Sequence, residues 1–180
     1  MSTPPAWRTL LLVGDSHLTD TSTREVWNLG PRMRACGWDV TTCAVGGLTT
    51  RAALELAEPD GFYDWTVFCF GSNDAAPWKG VPLPEFADNL TQLVMRASGR
   101  RVLLGPPPVS SAAEASGRTQ DLINNYSEAA AQVAADWSAM FIALVEFLGQ
   151  GDLSEDGVHL NDNGYAKIAE CLIGVLCPEE

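Results

Sequence analysis

Apolar positions along this chain fall into two patterns that alternate from one end to the other. The first is the short run: TLLLV (residues 9–13), WDVTTCAV (38–45), WTVFCF (65–70), RVLLG (101–105) and the weaker MFIALV (140–145) read as strands. Apolarity on consecutive positions means that a strand is covered on both faces, which points to a parallel sheet. The second pattern is helical. Phe86, Leu90, Leu93, Val94 and Ala97 recur at three and four after Pro84, a plausible helix start. Ile123, Tyr126, Ala130, Val133 and Trp137 do the same, as do Tyr165, Ile168, Ala169, Leu172, Ile173 and Leu176 with Asn161 or Asp162 as cap. Behind the first strand the helical pattern is interrupted by Gly30 and Pro31, which predicts a kinked or split helix there.

Strand and helix in alternation predict a three-layer α/β/α sandwich. No repeat or linker divides it, so the expectation is one domain over residues 1–180. One long loop, GPPPVSSAAEASG (105–117), reads as stiff in its proline half and flexible in its Ser/Ala half. In such a sheet ligands bind beyond the carboxyl ends of the strands. Those ends carry GDS (14–16), VGGLTT (45–50), GSND (71–74) and SEDGVHLNDNGY (154–165).

Composition narrows the partners. The chain has 46% apolar and 19% charged residues, ordinary for a globular protein, and 23 acids against 11 bases, a net charge of −12. That balance disfavours nucleic acid or an anionic membrane. No stretch approaches the roughly 18 apolar residues of a membrane span, and no leader is visible, so a cytoplasmic protein is expected. The five cysteines, Cys36, Cys43, Cys69, Cys171 and Cys177, form no CxxC and read as buried free thiols. Nothing in the sequence sets the oligomeric state.

The strand-end residues supply the parts of an acyl-transfer machine: a nucleophile, a base, an orienter and oxyanion donors. Ser16 can attack. His159 can take its proton, and Asp156, three residues earlier, can reach the other ring nitrogen. Backbone N–H groups at Ser16 and Gly47 and the side-chain amide of Asn73 can hold the oxyanion. Each residue alone also fits a humbler role: Ser16 in a turn, Asn73 or Asp74 at a helix cap, Asp156 beside Gly157 in a turn. His17 adjoins Ser16 in sequence, but its side chain is expected to point elsewhere, so His159 is the better base.

The four blocks together resemble the SGNH hydrolases, the GDSL-type lipases and esterases: GDS with Ser16, GGLTT with Gly47, GSND with Asn73, and DGVHLNDNGY with Asp156 and His159. INNYSEAA (123–130) is similar to that family's penultimate helix. The resemblance spans Leu10 to about Leu176. It implies a flavodoxin-like, five-stranded parallel sheet of order 2-1-3-4-5, a Ser16–His159–Asp156 triad, an oxyanion hole of Ser16, Gly47 and Asn73, and no metal or organic cofactor. The chain departs from the motif at His17, where the family name has Leu, at Thr42, where Asn is frequent, and at Gly46, where Ser is common.

The rival α/β-hydrolase arrangement needs G-x-S-x-G, and here Leu18 stands two residues after Ser16. Acyl transfer to an alcohol acceptor, a silent binding protein on the same fold, and a nucleotide or receiver protein are the other readings. The last would leave DGVH unexplained. Short insertions between blocks predict an open site for a small-molecule ester of acetyl or another short acyl group, on a sugar or small metabolite. His17 and Trp78, with Pro77, are the candidates to line it. Asp15, Asp20, Asp74 and Asp156 would give it an acidic rim.

Overall fold

The computed structural model describes residues 8–20, 28–56 and 59–177. Five strands, β1 (Arg8–Gly14), β2 (Trp38–Ala44), β3 (Trp65–Cys69), β4 (Arg100–Leu104) and β5 (Met140–Ile142), form one parallel sheet in the order β2-β1-β3-β4-β5. Seven helices connect and flank them: α1 (Leu29–Ala35), α2 (Thr50–Ala53), α3 (Leu83–Arg96), α4 (Ser111–Glu114), α5 (Gln120–Asp136), α6 (Leu144–Phe147) and α7 (Asp162–Leu176). This is the expected flavodoxin-like order.

The unbroken apolar runs have the expected cause. Side chains alternate across a strand, and here both faces are covered. Leu10, Leu12, Val67, Val102 and Leu104 pack with Leu29 and Met33 of α1 and with Ile168 and Leu172 of α7. Val13, Phe68 and Leu103 pack on the opposite face with Phe86, Leu90 and Val94 of α3 and with Ile123 and Val133 of α5. Each fully buried side chain of this kind stabilises the fold by about 1.5–3 kcal/mol. Tyr126 sits among them because its hydroxyl donates to the Val81 carbonyl at 2.6 Å.

Strand register positions everything that follows. Gly14 lies opposite Ala44 on one side and Cys69 on the other, Cys69 opposite Leu104, and Leu104 opposite Ile142. The carboxyl ends of all five strands are therefore level, and the polar segments after β1, β2 and β3 leave the sheet side by side.

Three local expectations are corrected. Gly30 and Pro31 do not split a helix: they form the first turn of α1, where the missing proline N–H has no partner to lose. Residues 21–27, ahead of it, lie outside the described part. In the loop after β4, residues 105–109 are buried and residues 111–114 form α4, capped by the Ser110 hydroxyl accepting from the Ala112 N–H at 3.2 Å. The proline half is packed, and the Ser/Ala half is a capped helical turn rather than open coil. The fifth strand ends at Ile142, because residues 144–147 turn helical. The five cysteines are free thiols, but only Cys69 is buried as expected; Cys43, Cys171 and Cys177 are half-buried and Cys36 is exposed.

Candidate active site

Ser16 is presented by a turn that Asp15 organises. Asp15 is fully buried, and its carboxylate accepts from the His17 N–H at 3.0 Å while the Leu18 N–H closes back on its carbonyl at 3.0 Å. Gly14 must be glycine for this turn to start where it does: a Cβ there would lie 2.5 Å from the Cys69 carbonyl oxygen. Ser16 is thereby turned outward while Asp15 and His17 turn in.

His159 meets Ser16 from the far end of the chain. Its Nε2 is 3.0 Å from Ser16 Oγ, and its Nδ1 is 2.7 Å from Asp156 Oδ2. The other carboxylate oxygen, Oδ1, accepts from the Ser154 hydroxyl and from the N–H groups of Val158 and His159, at 2.9, 3.0 and 2.9 Å. Burial alone would raise the Asp156 carboxyl, but these donors and the His159 ring hold it well below the usual carboxylate range. Asp156 is therefore ionised, and its demand for a donor sets the proton on Nδ1. Nε2 is then the acceptor that a serine hydroxyl needs. The loop is pinned by the Leu153–Leu160 bridge and by Asn161, whose side chain caps α7 and donates to the Gly151 and Leu153 carbonyls.

The residues expected to donate to an oxyanion stand at the adjacent strand ends. Gly47, not Gly46, takes the left-handed conformation, with φ +76. Lys79 Nζ holds its carbonyl at 3.1 Å. The N–H groups of Ser16 and Gly47 donate to no other group among the described residues. Asn73, 6% exposed, donates from Nδ2 to Asp15 Oδ2 at 3.0 Å and accepts at Oδ1 from Arg118 Nη2 at 3.2 Å.

A model of the GDSL-like lipase/acylhydrolase family matches residues 12–167. The chain belongs to that family. It is an enzyme acting on carboxylic ester bonds. It is 30% identical to an isoamyl acetate-hydrolyzing esterase 1 homolog of Bos taurus, over 89% of this chain and 78% of that protein. It is 32% identical to the isoamyl acetate-hydrolyzing esterase of Saccharomyces cerevisiae, over 77% of this chain and 68% of that one. Its fold superimposes on the crystal structure of the lipase/acylhydrolase from Enterococcus faecalis with a TM-score of 0.81 at 22% identity, covering 96% of this chain and 99% of the other.

In this GDSL-family chain all five residues expected to form the machinery meet at one end of the sheet. The two candidates for lining it part company. Trp78 is 56% exposed, whereas His17 is 2% exposed and packs its ring 5.7 Å from that of His159. The position gives His17 a place behind the base rather than a surface for substrate. Burial, with His159 and Arg118 nearby, pushes its pKa down to about 3, so it is neutral, and its Nδ1 has no hydrogen-bond partner among the described residues. The acidic rim is also corrected. Asp15 is fully buried and Asp74 is 2% exposed, the latter accepting from the Thr50 N–H and hydroxyl at 2.9 and 2.6 Å. Burial pushes both carboxyls up to about 6. Asp20 is exposed but paired with Arg34 at 2.7 Å.

The residue that the sequence did not single out is Arg118. It enters from the β4–α5 connection, donates from Nε to the Ser72 carbonyl at 3.0 Å, and lays its guanidinium 4.7 Å over the Trp78 ring. A separate apolar cavity of about 100 Å³ lies under α2, lined by Leu11, Val13, Leu48, Phe68 and Leu93 among others; none of Ser16, Asn73, Asp156 and His159 borders it.

Proposed function

We propose that the chain hydrolyses acetyl and other short-chain esters of small alcohols through an acyl-enzyme on Ser16. The observation that carries this reading is the continuous path from Ser16 Oγ to His159 Nε2 (3.0 Å) and from His159 Nδ1 to Asp156 Oδ2 (2.7 Å). Ser16 Oγ bonds to the ester carbonyl carbon as its proton passes to His159 Nε2. Asp156 stabilises the imidazolium without taking a proton. The carbonyl π pair moves onto oxygen, where the N–H groups of Ser16 and Gly47 and the Asn73 amide receive it. Collapse expels the alcohol, protonated by His159, and water activated by the same base releases the acid.

The substrate class is supported by two features. Both curated relatives are named for isoamyl acetate hydrolysis. The base and Trp78 are open to solvent, with the His159 side chain 43% and Trp78 56% exposed. A net charge of −12 further disfavours anionic esters.

The test is 4-nitrophenyl acetate hydrolysis by the purified protein and its Ser16→Ala and His159→Ala variants, followed by an acetyl, butyryl and octanoyl series and isoamyl acetate. Both variants are expected to be inactive, and kcat/KM is expected to fall with acyl length. Full activity in either variant overturns the triad, and a preference for octanoyl esters overturns the substrate class.

A further inference from the structure

We propose that Arg118 is a positioning residue of the oxyanion hole, fixing the Asn73 amide in the one orientation that leaves an N–H free for the reacting oxygen. The inference rests on the assignment of Asn73 as an oxyanion donor and extends it to a residue outside the four family blocks.

A primary amide is nearly symmetric in shape, and a flip exchanges its acceptor for its donors. In an oxyanion hole the wrong flip turns a carbonyl oxygen toward developing negative charge. Here the two sides of the Asn73 amide face partners that cannot tolerate the exchange. Arg118 Nη2 donates to Oδ1 at 3.2 Å, and Asp15 Oδ2 accepts from Nδ2 at 3.0 Å. A guanidinium has only donors and an ionised carboxylate only acceptors. A flipped amide would oppose donor to donor and acceptor to acceptor, losing both charge-assisted bonds. With the amide as it stands, Nδ2 spends one hydrogen on Asp15 and keeps the second.

Arg118 is itself held on three sides. Its Nε donates to the carbonyl of Ser72, the residue before Asn73, at 3.0 Å, and its guanidinium lies 4.7 Å over the Trp78 ring. One planar group thus grips the backbone entering Asn73 and the side chain leaving it. A lysine ammonium has no planar fork for both contacts. No hydrogen bond joins Arg118 to Ser16, Asp156 or His159. Its charge also acts on Asp15 and Asp156, and the double-variant cycle below separates that field from the route through Asn73.

The test is a double-variant cycle on 4-nitrophenyl acetate, with melting temperatures recorded for each protein. One oxyanion donor is worth roughly 10²–10³ in rate, so Arg118→Gln is expected to lower kcat by about 10- to 100-fold. KM should stay within a few-fold, and Arg118→Lys should recover part of the loss. In the Asn73→Ala background, Arg118→Gln should cost nothing further, which a merely structural arginine would not reproduce. If Arg118→Gln does not fold, Arg118→Lys is carried through the same cycle. Undiminished kcat in the Arg118 variant, or an additive loss on top of Asn73→Ala, overturns the proposal while leaving Asn73 in its role. An undiminished Asn73→Ala variant overturns the oxyanion assignment and the clamp with it.

Discussion

Asp156 holds His159 twice, through the ring nitrogen at 2.7 Å on Oδ2 and through the backbone N–H at 2.9 Å on Oδ1. The same carboxylate thus fixes where the histidine sits and which nitrogen carries its proton. In Asp156→Asn the oxygen can keep the backbone donors, but the NH₂ then faces Nδ1 and drives the proton to Nε2, the wrong tautomer for a base. We expect kcat to fall by about 10⁴, as for the equivalent change in other serine triads. Far-ultraviolet circular dichroism should be unchanged, and a loss of less than tenfold would contradict the assignment.

His17 separates proximity in sequence from proximity in chemistry. Replacing it with Leu should leave esterase activity within a few-fold, whereas His159→Ala should abolish it. The same change should alter acid stability. The folded-state pKa of His17 is depressed to about 3, with His159, Arg118 and Asp156 as the charged groups acting on it. The unfolded chain therefore binds an extra proton below about pH 6.5, and the native state loses stability as pH falls. At pH 5 the wild type should have lost about 2 kcal/mol from this group relative to neutral pH, a loss absent from His17→Leu. Urea melts at pH 5 and pH 7 measure it, and parallel pH profiles would refute it.

Asp74 predicts the opposite sign. Its folded pKa is raised to about 6 by burial, so its contribution to stability is full below about pH 4 and is lost as pH rises through about 6. Asp74→Asn keeps an oxygen for both Thr50 donors and cannot ionise. Relative to wild type, the variant should gain on the order of 1–3 kcal/mol between pH 4.5 and pH 7.5. Asp15, which acts on Asp74 and titrates in the same window, is present in both proteins. Denaturant titrations at the two pH values decide it.

Gly47→Ala tests backbone geometry alone. An added Cβ meets nothing nearer than Lys79 Nζ at 3.7 Å, so space is not the obstacle; φ +76 is. An L-residue in that region costs roughly 1–2 kcal/mol. Either the protein melts earlier by that amount or the turn relaxes and the N–H swings away, lowering kcat. A variant unchanged in both would contradict the strain assigned to this turn.

How far the sequence disclosed this arrangement depends on how local each cause is. The strands and the long helices follow from burial patterns within a dozen residues. Ser16, Gly47, Asn73, Asp156 and His159 were legible because each stands in a polar block just past an apolar run, and level strand ends bring most of those blocks together. Arg118 was not, because its meaning depends on Ser72 and Asn73, 46 and 45 residues away. Its only local signal is a lone cation in a Ser/Gly/Ala stretch beside the Thr119 cap. Asp15 and Asp74 read as surface acids by type; the His17 N–H and the Asn73 amide hold Asp15 inside, and the N–H and hydroxyl of Thr50 hold Asp74. Gly30-Pro31 read as a break because the start of α1 cannot be fixed from spacing alone.

Ser16 and His159, the proposed nucleophile and base, stand 143 positions apart. A ribosome exposes Ser16 early and releases His159 only after the fifth strand and the Ser154–Asp156 anchor have been synthesised. On the proposed triad, the wide spacing withholds the base from the nucleophile until most of the chain exists.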